Sequence, residues 1–437
     1  MLLYSTNDHA LRVPFREALF NSLPADRGLY LPVDIPRLPA DFWERLPSLS
    51  LPQLAYELAH ALLRDAVPAE ALRRLIDEAI DFPAPVVALD ADTYVLELFH
   101  GPSLAFKDFG ARFMSRLMGY FLRQEGGQPL DVLVATSGDT GGAVALGFLG
   151  VPGVRVTILY PRGKVSPIQR RQLTTNGHNI RALEVDGTFD DCQALVKQAF
   201  GDAELNERFR LTSANSINIA RLIPQAFYYV NAYAQLRRQG RSEVVFAVPS
   251  GNFGNLGAGL LAWRMGLPVR QFLAATNAND TVPAFLRTGH YQPKPSVATL
   301  SNAMDVGNPS NWARIADLFR HDPAALTDLV TGYSFSDDDT RAAIRQVFDQ
   351  YGYVVCPHTA IAWRAWQQWQ QEHPQESAAG VFLATAHPCK FPDVFPADVA
   401  ARIEVPSAAA ALAGQKEQQT PIAADFEAFK RYLLGEA

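Results

Sequence analysis

Between Tyr94 and Ala275 the chain repeats one pattern: a short apolar run, a loop of glycines or small polar residues, then a helical segment. The runs are Tyr94–Phe99, Asp131–Ala135, Val154–Tyr160, Ile180–Val185, Val244–Val248 and Phe272–Ala275. Helical spacing separates most of them, from about Ala105 and over Pro167–Thr175, Phe189–Phe200 and Asn255–Met265. Strands that alternate with helices in this way predict a parallel sheet covered on both faces. Ligands of such sheets collect at the carboxyl ends of the strands, so the loops after these runs are where chemistry is expected.

At 437 residues the chain exceeds what one hydrophobic core organises, about 250–300 residues, so more than one unit is expected. The first eighty residues read as mostly helical, with apolar residues at helical spacing in Leu54–Leu63 and Pro68–Ile80. Phe82-Pro83-Ala84-Pro85 marks a boundary, because each proline pushes its predecessor out of helix. The expected partition is a mostly helical region over 1–82, a larger α/β unit from 83–125 and 215–437, and a smaller one over 126–214. Gly126 and Gly127 stand where a hinge to the smaller unit is expected. The stretch Ser407–Gln419, rich in Ala and Gln, reads as a surface linker before a last helix.

Charge and cysteine content exclude several functions. The formal net charge of -6 offers no broad basic surface to nucleic acid or to an anionic membrane. Any anion must be gripped locally. The three cysteines, Cys192, Cys356 and Cys389, are too sparse for a disulfide scaffold and point to a reducing compartment. The N-terminal stretch lacks the pattern of a signal peptide, and no run reaches the roughly 20 apolar residues of a membrane span. A cytoplasmic protein, monomeric or homodimeric, is expected.

Three loops carry candidate chemistry. In Phe99–Gly110, Lys107 stands among Leu104, Phe106 and Phe109. Partial desolvation lowers an amine's pKa and fits it for attack on an aldehyde and for later base work. A lysine at a helix start that snorkels to solvent is the plainer alternative. Ser250-Gly251-Asn252-Phe253-Gly254-Asn255 lies between a strand and a helix, where curled backbone N–H groups and the helix start suit a phosphate. A structural turn is its rival. Gly257-Ala258-Gly259-Leu260-Leu261-Ala262 loosely fits a dinucleotide fingerprint, but its first glycine falls inside the predicted helix, nine residues beyond Val248. In the third loop, Thr136, Ser137, Gly138, Asp139 and Thr140 offer hydroxyls and free N–H groups to a carboxylate, or simply cap the helix that follows. Asn215, Ser216, Asn218 and Arg221 could take a second oxyanion or form an ordinary capped helix. The pairs Cys356/His358 and His387/Cys389 are spaced too closely for a usual structural zinc site, so no metal is expected.

Taken together, in this order, these loops resemble the threonine synthase family, in its longer branch. The likeness extends to Ala384-Thr385-Ala386-His387-Pro388, to the opening Tyr4-Ser5-Thr6-Asn7 and to Asp26-Arg27-Gly28-Leu29-Tyr30, and so covers almost the whole chain. The resemblance implies the tryptophan-synthase-β-like fold, fold type II of the pyridoxal 5'-phosphate enzymes: two parallel or mixed sheets covered by helices, with a helical N-terminal region. It also implies conversion of O-phospho-L-homoserine and water to L-threonine and phosphate. Lys107 would hold the cofactor covalently. Ser250, Gly251, Asn252, Phe253, Gly254 and Asn255 would hold its phosphate, and Thr385 its pyridine nitrogen. Thr136, Ser137 and Thr140 would take the substrate carboxylate; Asn215, Ser216 and Arg221 would take the substrate phosphate.

Two departures stand out. Cys356 occupies a position where the family usually has an acid. Asp139 falls near the cofactor's phenolic oxygen, where shorter relatives carry Asn, and an anion there needs a compensating donor that the motifs do not supply. Other readings compete: a lyase that releases 2-oxobutanoate from the same substrate, a dehydratase or cysteine-synthase-like enzyme (neither of which needs a second phosphate site), a non-catalytic pyridoxal-phosphate or metabolite-binding protein, and a nucleotide-dependent oxidoreductase.

Overall fold

A computed structural model of the chain describes residues 1–126 and 128–436; Gly127 of the expected hinge lies outside the described residues. The six anticipated strands all form and divide between two sheets. One runs in the order Val330–Ser334, Gln271–Thr276, Val244–Pro249, Ala379–Ala384, Thr93–Glu97, Val86–Ala88. Its neighbours are parallel except for the last pair. The other runs Thr420–Ala423, Ile180–Asp186, Val154–Pro161, Leu130–Ala135, Arg210–Ser213 and is parallel throughout.

Val244–Pro249 is buried at every position, as a strand between two helical layers must be. Successive side chains serve opposite faces. Val244, Phe246 and Val248 join the largest core, with Tyr229 of helix Gln225–Arg238 and Leu260 of helix Gly254–Arg264. Val245 and Ala247 join a second core under helix Pro357–Glu372. That helix lays Trp366 and Trp369 on the sheet, and their indole N–H groups donate to Thr93 Oγ1 at 3.1 Å and Gln271 Oε1 at 2.6 Å. Gly380 makes the fit possible, because a Cβ there would lie 2.1 Å from the Trp366 ring. The largest core also takes Val132, Val134, Val156 and Ile158 from the five-stranded sheet, so both sheets share it.

The first eighty residues are mostly helical, as expected, and add a small sheet in which Leu2–Ser5 pairs antiparallel with Arg12–Pro14 and with Tyr30–Pro32. At three or four residues, these strands are too short to show a period. One expectation is corrected: the chain's end does not stay with the larger unit. Thr420–Ala423 extends the five-stranded sheet beside Ile180–Asp186, and Phe429 of helix Phe426–Leu434 packs with Cys192 and Leu195. A proline inside so short a run hides a strand, yet an edge position tolerates Pro421. The linker before it contains a turn of helix, Ser407–Ala410.

Candidate active site

Three adjacent parallel strands deliver the principal candidates to one edge of the six-stranded sheet. Val244–Pro249 runs into the Ser250–Asn255 loop, its neighbour Ala379–Ala384 into Thr385, and the next strand, Thr93–Glu97, into the loop that carries Lys107. Backbone contacts clamp the last two together. Phe106 N–H donates to Thr385 O at 2.8 Å, His387 N–H donates to Leu104 O at 3.0 Å, and Ala105 bridges Ala386. Leu104 pays for this path with a φ of 58°, a left-handed conformation that costs roughly 1–2 kcal/mol for a residue with a side chain.

Lys107 opens the helix Lys107–Glu125 and is largely buried. Burial lowers its amine's pKa; Asp139 opposes this, while Lys390 and Arg221 lower it further. The snorkelling alternative does not hold, because the ammonium turns inward, 3.6 Å from Asp139 Oδ2.

The Ser250–Asn255 loop has the form of an anion cup. Among the described residues, no acceptor is found for the N–H groups of Gly251, Asn252, Phe253, Gly254 and Asn255. Phe253 bends the chain with a φ of 61°, and a Cβ on Gly251 would meet Met304 Cα at 2.6 Å. The side chains build the cup rather than line it. Ser250 Oγ donates to Val248 O at 2.9 Å. Asn252 Nδ2 donates to Ser216 Oγ at 2.7 Å, and its Oδ1 accepts from Ser310. Asn255 is turned into the core, where Oδ1 accepts from the Tyr228 and Tyr229 hydroxyls.

The Thr136–Thr140 loop leaves Leu130–Ala135, an inner strand of the other sheet beside its Arg210–Ser213 edge. Thr136 Oγ1 accepts from Gly138 N–H at 3.0 Å and Gly141 N–H at 2.8 Å, which shapes the turn and leaves the hydroxyl proton free. Ser137 and Thr140 are half-buried. Asp139 is buried, and the donor missing from the motifs is Lys390, whose Nζ lies 2.7 Å from Asp139 Oδ1. Gln169 Nε2 donates to the same oxygen at 2.9 Å. Burial alone would raise the Asp139 pKa, but Lys390, Lys107 and Gln169 together hold it well below the usual range. Sequence reasoning missed both partners. A lysine between Cys389 and Phe391 was the available signal for Lys390; Gln169 was hidden as the capping-box residue of helix Pro167–Thr174.

Asn215–Arg221 follows Arg210–Ser213, next to Leu130–Ala135 in the sheet. Arg221 is buried, which lowers its pKa to about 10 and leaves it charged at neutral pH. It donates to Ala214 O, while its Nε has no partner. Ser216 Oγ accepts from Asn252 and, at 3.4 Å, from Asn311, so this segment is tied to the cup. Arg314, also missed from sequence, anchors it from below by donating to Ser216 O, Ile217 O and Tyr30 O. Cys356 donates no charge: burial raises its thiol, which contacts Thr359 Oγ1 at 3.2 Å. Burial pushes His358 down to about 4, and the neutral ring accepts from Ala303 N–H at 3.3 Å. His387 Nδ1 instead accepts from Cys389 N–H at 3.2 Å.

Buried polar atoms without partners lie in these same segments: Ser103 Oγ, Asp108 Oδ1, Asn215 Oδ1 and Arg221 Nε. Such atoms are costly unless a ligand satisfies them. With a buried low-pKa amine, a cup of free N–H groups and a charged arginine, they fit a phosphorylated aldehyde cofactor and a second anion.

Comparison with known proteins settles the family. A family model described as pyridoxal-phosphate dependent enzyme matches residues 80–385, with models for the threonine synthase N terminus over 3–80 and, overlapping its end, the C-terminal part over 359–433. The threonine synthase of Serratia marcescens is 45% identical, across 100% of this chain and 99% of its own. The chain belongs to the threonine synthase family. The crystal structure of threonine synthase from Escherichia coli superposes with a TM-score of 0.91 at 43% identity, covering 100% of both chains. The PLP-bound threonine synthase from Brucella melitensis gives 0.92 at 36% identity, covering 100% of this chain and 99% of its own. As a member of the threonine synthase family, the chain is a pyridoxal-phosphate-dependent lyase of fold type II that makes threonine. Among the described residues, no helix is long and apolar enough to cross a membrane.

Proposed function

We propose that the substrate is O-phospho-L-homoserine, converted with water to L-threonine and phosphate in the cytoplasm, with Lys107 as the cofactor's covalent anchor. One observation carries the reading: Lys107, the free N–H groups of Gly251–Asn255 and Thr385 issue from three neighbouring strands, with a buried, charged Arg221 beside them.

The Gly251–Asn255 N–H groups hold the cofactor phosphate, with Ser250 fixing the turn, and Thr385 meets the pyridine nitrogen. A threonine hydroxyl, unlike a carboxylate, does not keep that nitrogen protonated, which suits a path that must not run on to a keto acid. Bound pyridoxal phosphate supplies the electron sink that makes proton loss at Cα and Cβ accessible. The Ser137, Asp139 and Thr140 N–H groups and the Thr136 hydroxyl bind the substrate carboxylate at a helix start. Arg221, Asn215 and Ser216 bind the substrate phosphate and retain it after it leaves Cγ. Lys107 would move protons at Cα and Cβ once its nitrogen is free, and burial lowers its pKa in the direction that base work needs.

The test is product analysis with O-phospho-L-homoserine. Equal amounts of threonine and phosphate are expected. Formation of 2-oxobutanoate and ammonia instead would assign the lyase, and phosphate release with neither product would reject both.

A further inference from the structure

The steps above leave a buried cation beside Lys107 unused. Lys390 has no solvent exposure, on the short turn Pro388–Lys390 that follows Thr385. Its Nζ lies 2.7 Å from Asp139 Oδ1 and donates to Ser103 O at 2.8 Å. Burying an ammonium without an anion costs several kcal/mol, so the pair accounts for the charge of both partners. The pair also has a direction. Oδ1 of Asp139 is occupied by Lys390 and Gln169, which leaves Oδ2 to face Lys107 Nζ at 3.6 Å.

We propose that Lys390 is a positioning residue for the reaction: it orients the Asp139 carboxylate and cancels its charge, so that the Lys107 nitrogen meets a neutral pair and not a lone anion. The three contacts join the Lys107 loop at Ser103, the segment after Thr385 and the helix Asp139–Phe148 from the other sheet. A single ammonium therefore sets both the field at Lys107 and the register between the loops around it. The inference rests on the reading of Lys107 as the cofactor's anchor.

Other charged and titratable groups face this trio. Asp108 and Arg221 approach from the helix Lys107–Glu125 and from Ile219–Leu222, Cys356 and His358 from the start of Pro357–Glu372, and His387 from the Lys390 turn. Cys356 and His358 are uncharged at neutral pH, and none of the five is altered in the variants that follow.

The prediction concerns protonation of the Lys107–cofactor nitrogen, read from the pH dependence of the holoenzyme's visible absorbance without substrate. Lys390→Met removes a like charge and exposes Asp139, and both changes favour the protonated nitrogen. Its pKa should rise by about 1–3 pH units. Asp139→Asn leaves Lys390 unpaired and should lower it. The double variant Lys390→Met/Asp139→Asn should return close to the wild-type value, and Lys390→Arg should stay near it. A merely structural role predicts neither the opposite signs nor the cancellation. An unmoved pKa in Lys390→Met, or a double variant that keeps the single variant's shift, would overturn the proposal. If Lys390→Met does not fold, a folded double variant with wild-type titration supports the pairing; a double variant that also fails to fold rejects it. A wild-type protein with no titrating visible band would instead reject the Lys107 reading itself.

Discussion

Lys107 and Arg221 are the residues proposed for the chemistry, and burial leaves each with few partners of its own. Lys107→Ala should lose the lysine-bound absorbance and about 10²–10⁴-fold in kcat, since proton transfer by a positioned group is worth that much. Arg221→Gln keeps a donor but not the charge. It should weaken inhibition by inorganic phosphate about 10–100-fold, a hydrogen bond to an ion being worth roughly 1.5–3 kcal/mol. His358 supplies a pH test. Its folded-state pKa of about 4 lies below the ordinary 6.5, so the unfolded chain binds the extra proton first as the pH falls. Stability is therefore complete above about 6.5 and is lost as the pH drops toward 4, by up to about 3 kcal/mol. His358→Gln, which retains an acceptor for Ala303 N–H, should flatten the unfolding free energy over that window. Lys107 and the glycine-asparagine cup were legible in the sequence because each sits in a local pattern after a strand, whereas Arg221 follows a strand too short to read and stood out only as a charged residue among amides and a hydroxyl. Lys390 was not: its partner lies 251 positions away, since Asp139 and Lys390 meet only when the two sheets close on each other.

The elements show the same division between local and distant causes. Strands between two helical layers betray themselves by continuous apolar runs, and Val244–Pro249 is the plainest case. Arg210–Ser213 and Thr420–Ala423, of four residues each, lie at the two edges of the five-stranded sheet and show no such run. Their pairing is a property of the sheet they join. Packing between elements yields its own test at Gly380. Gly380→Ala would drive a methyl into the Trp366 ring, and overpacking of this kind costs about 1–3 kcal/mol. Chemical denaturation should show that loss. Adding Trp366→Leu, which makes room, should make the alanine nearly neutral, and additive losses would show that the two residues do not press on each other.

For the molecule as a whole, the chain's last segment completes the sheet that carries Asp139. Phe429 closes the core around Cys192, which is fully buried. A protein ending at residue 419 should bare the edge of Ile180–Asp186 and let Cys192 react with a thiol reagent in native buffer, where the full chain protects it. An equally protected Cys192 would show that the segment is dispensable to this core. The alternation of strands and helices made the two-sheet plan legible from sequence, whereas the return of the C-terminus to the five-stranded sheet depends on contacts far apart in the chain.

Of two buried neighbouring amines, Lys107 and Lys390, only Lys107 is proposed to join the cofactor. Borohydride reduction of the holoenzyme, followed by proteolysis and mass spectrometry, makes that bond permanent and locates it. The pyridoxyl mass should appear on the peptide containing Lys107. Its appearance on the peptide containing Lys390, or on no lysine, would rule out Lys107 as the anchor.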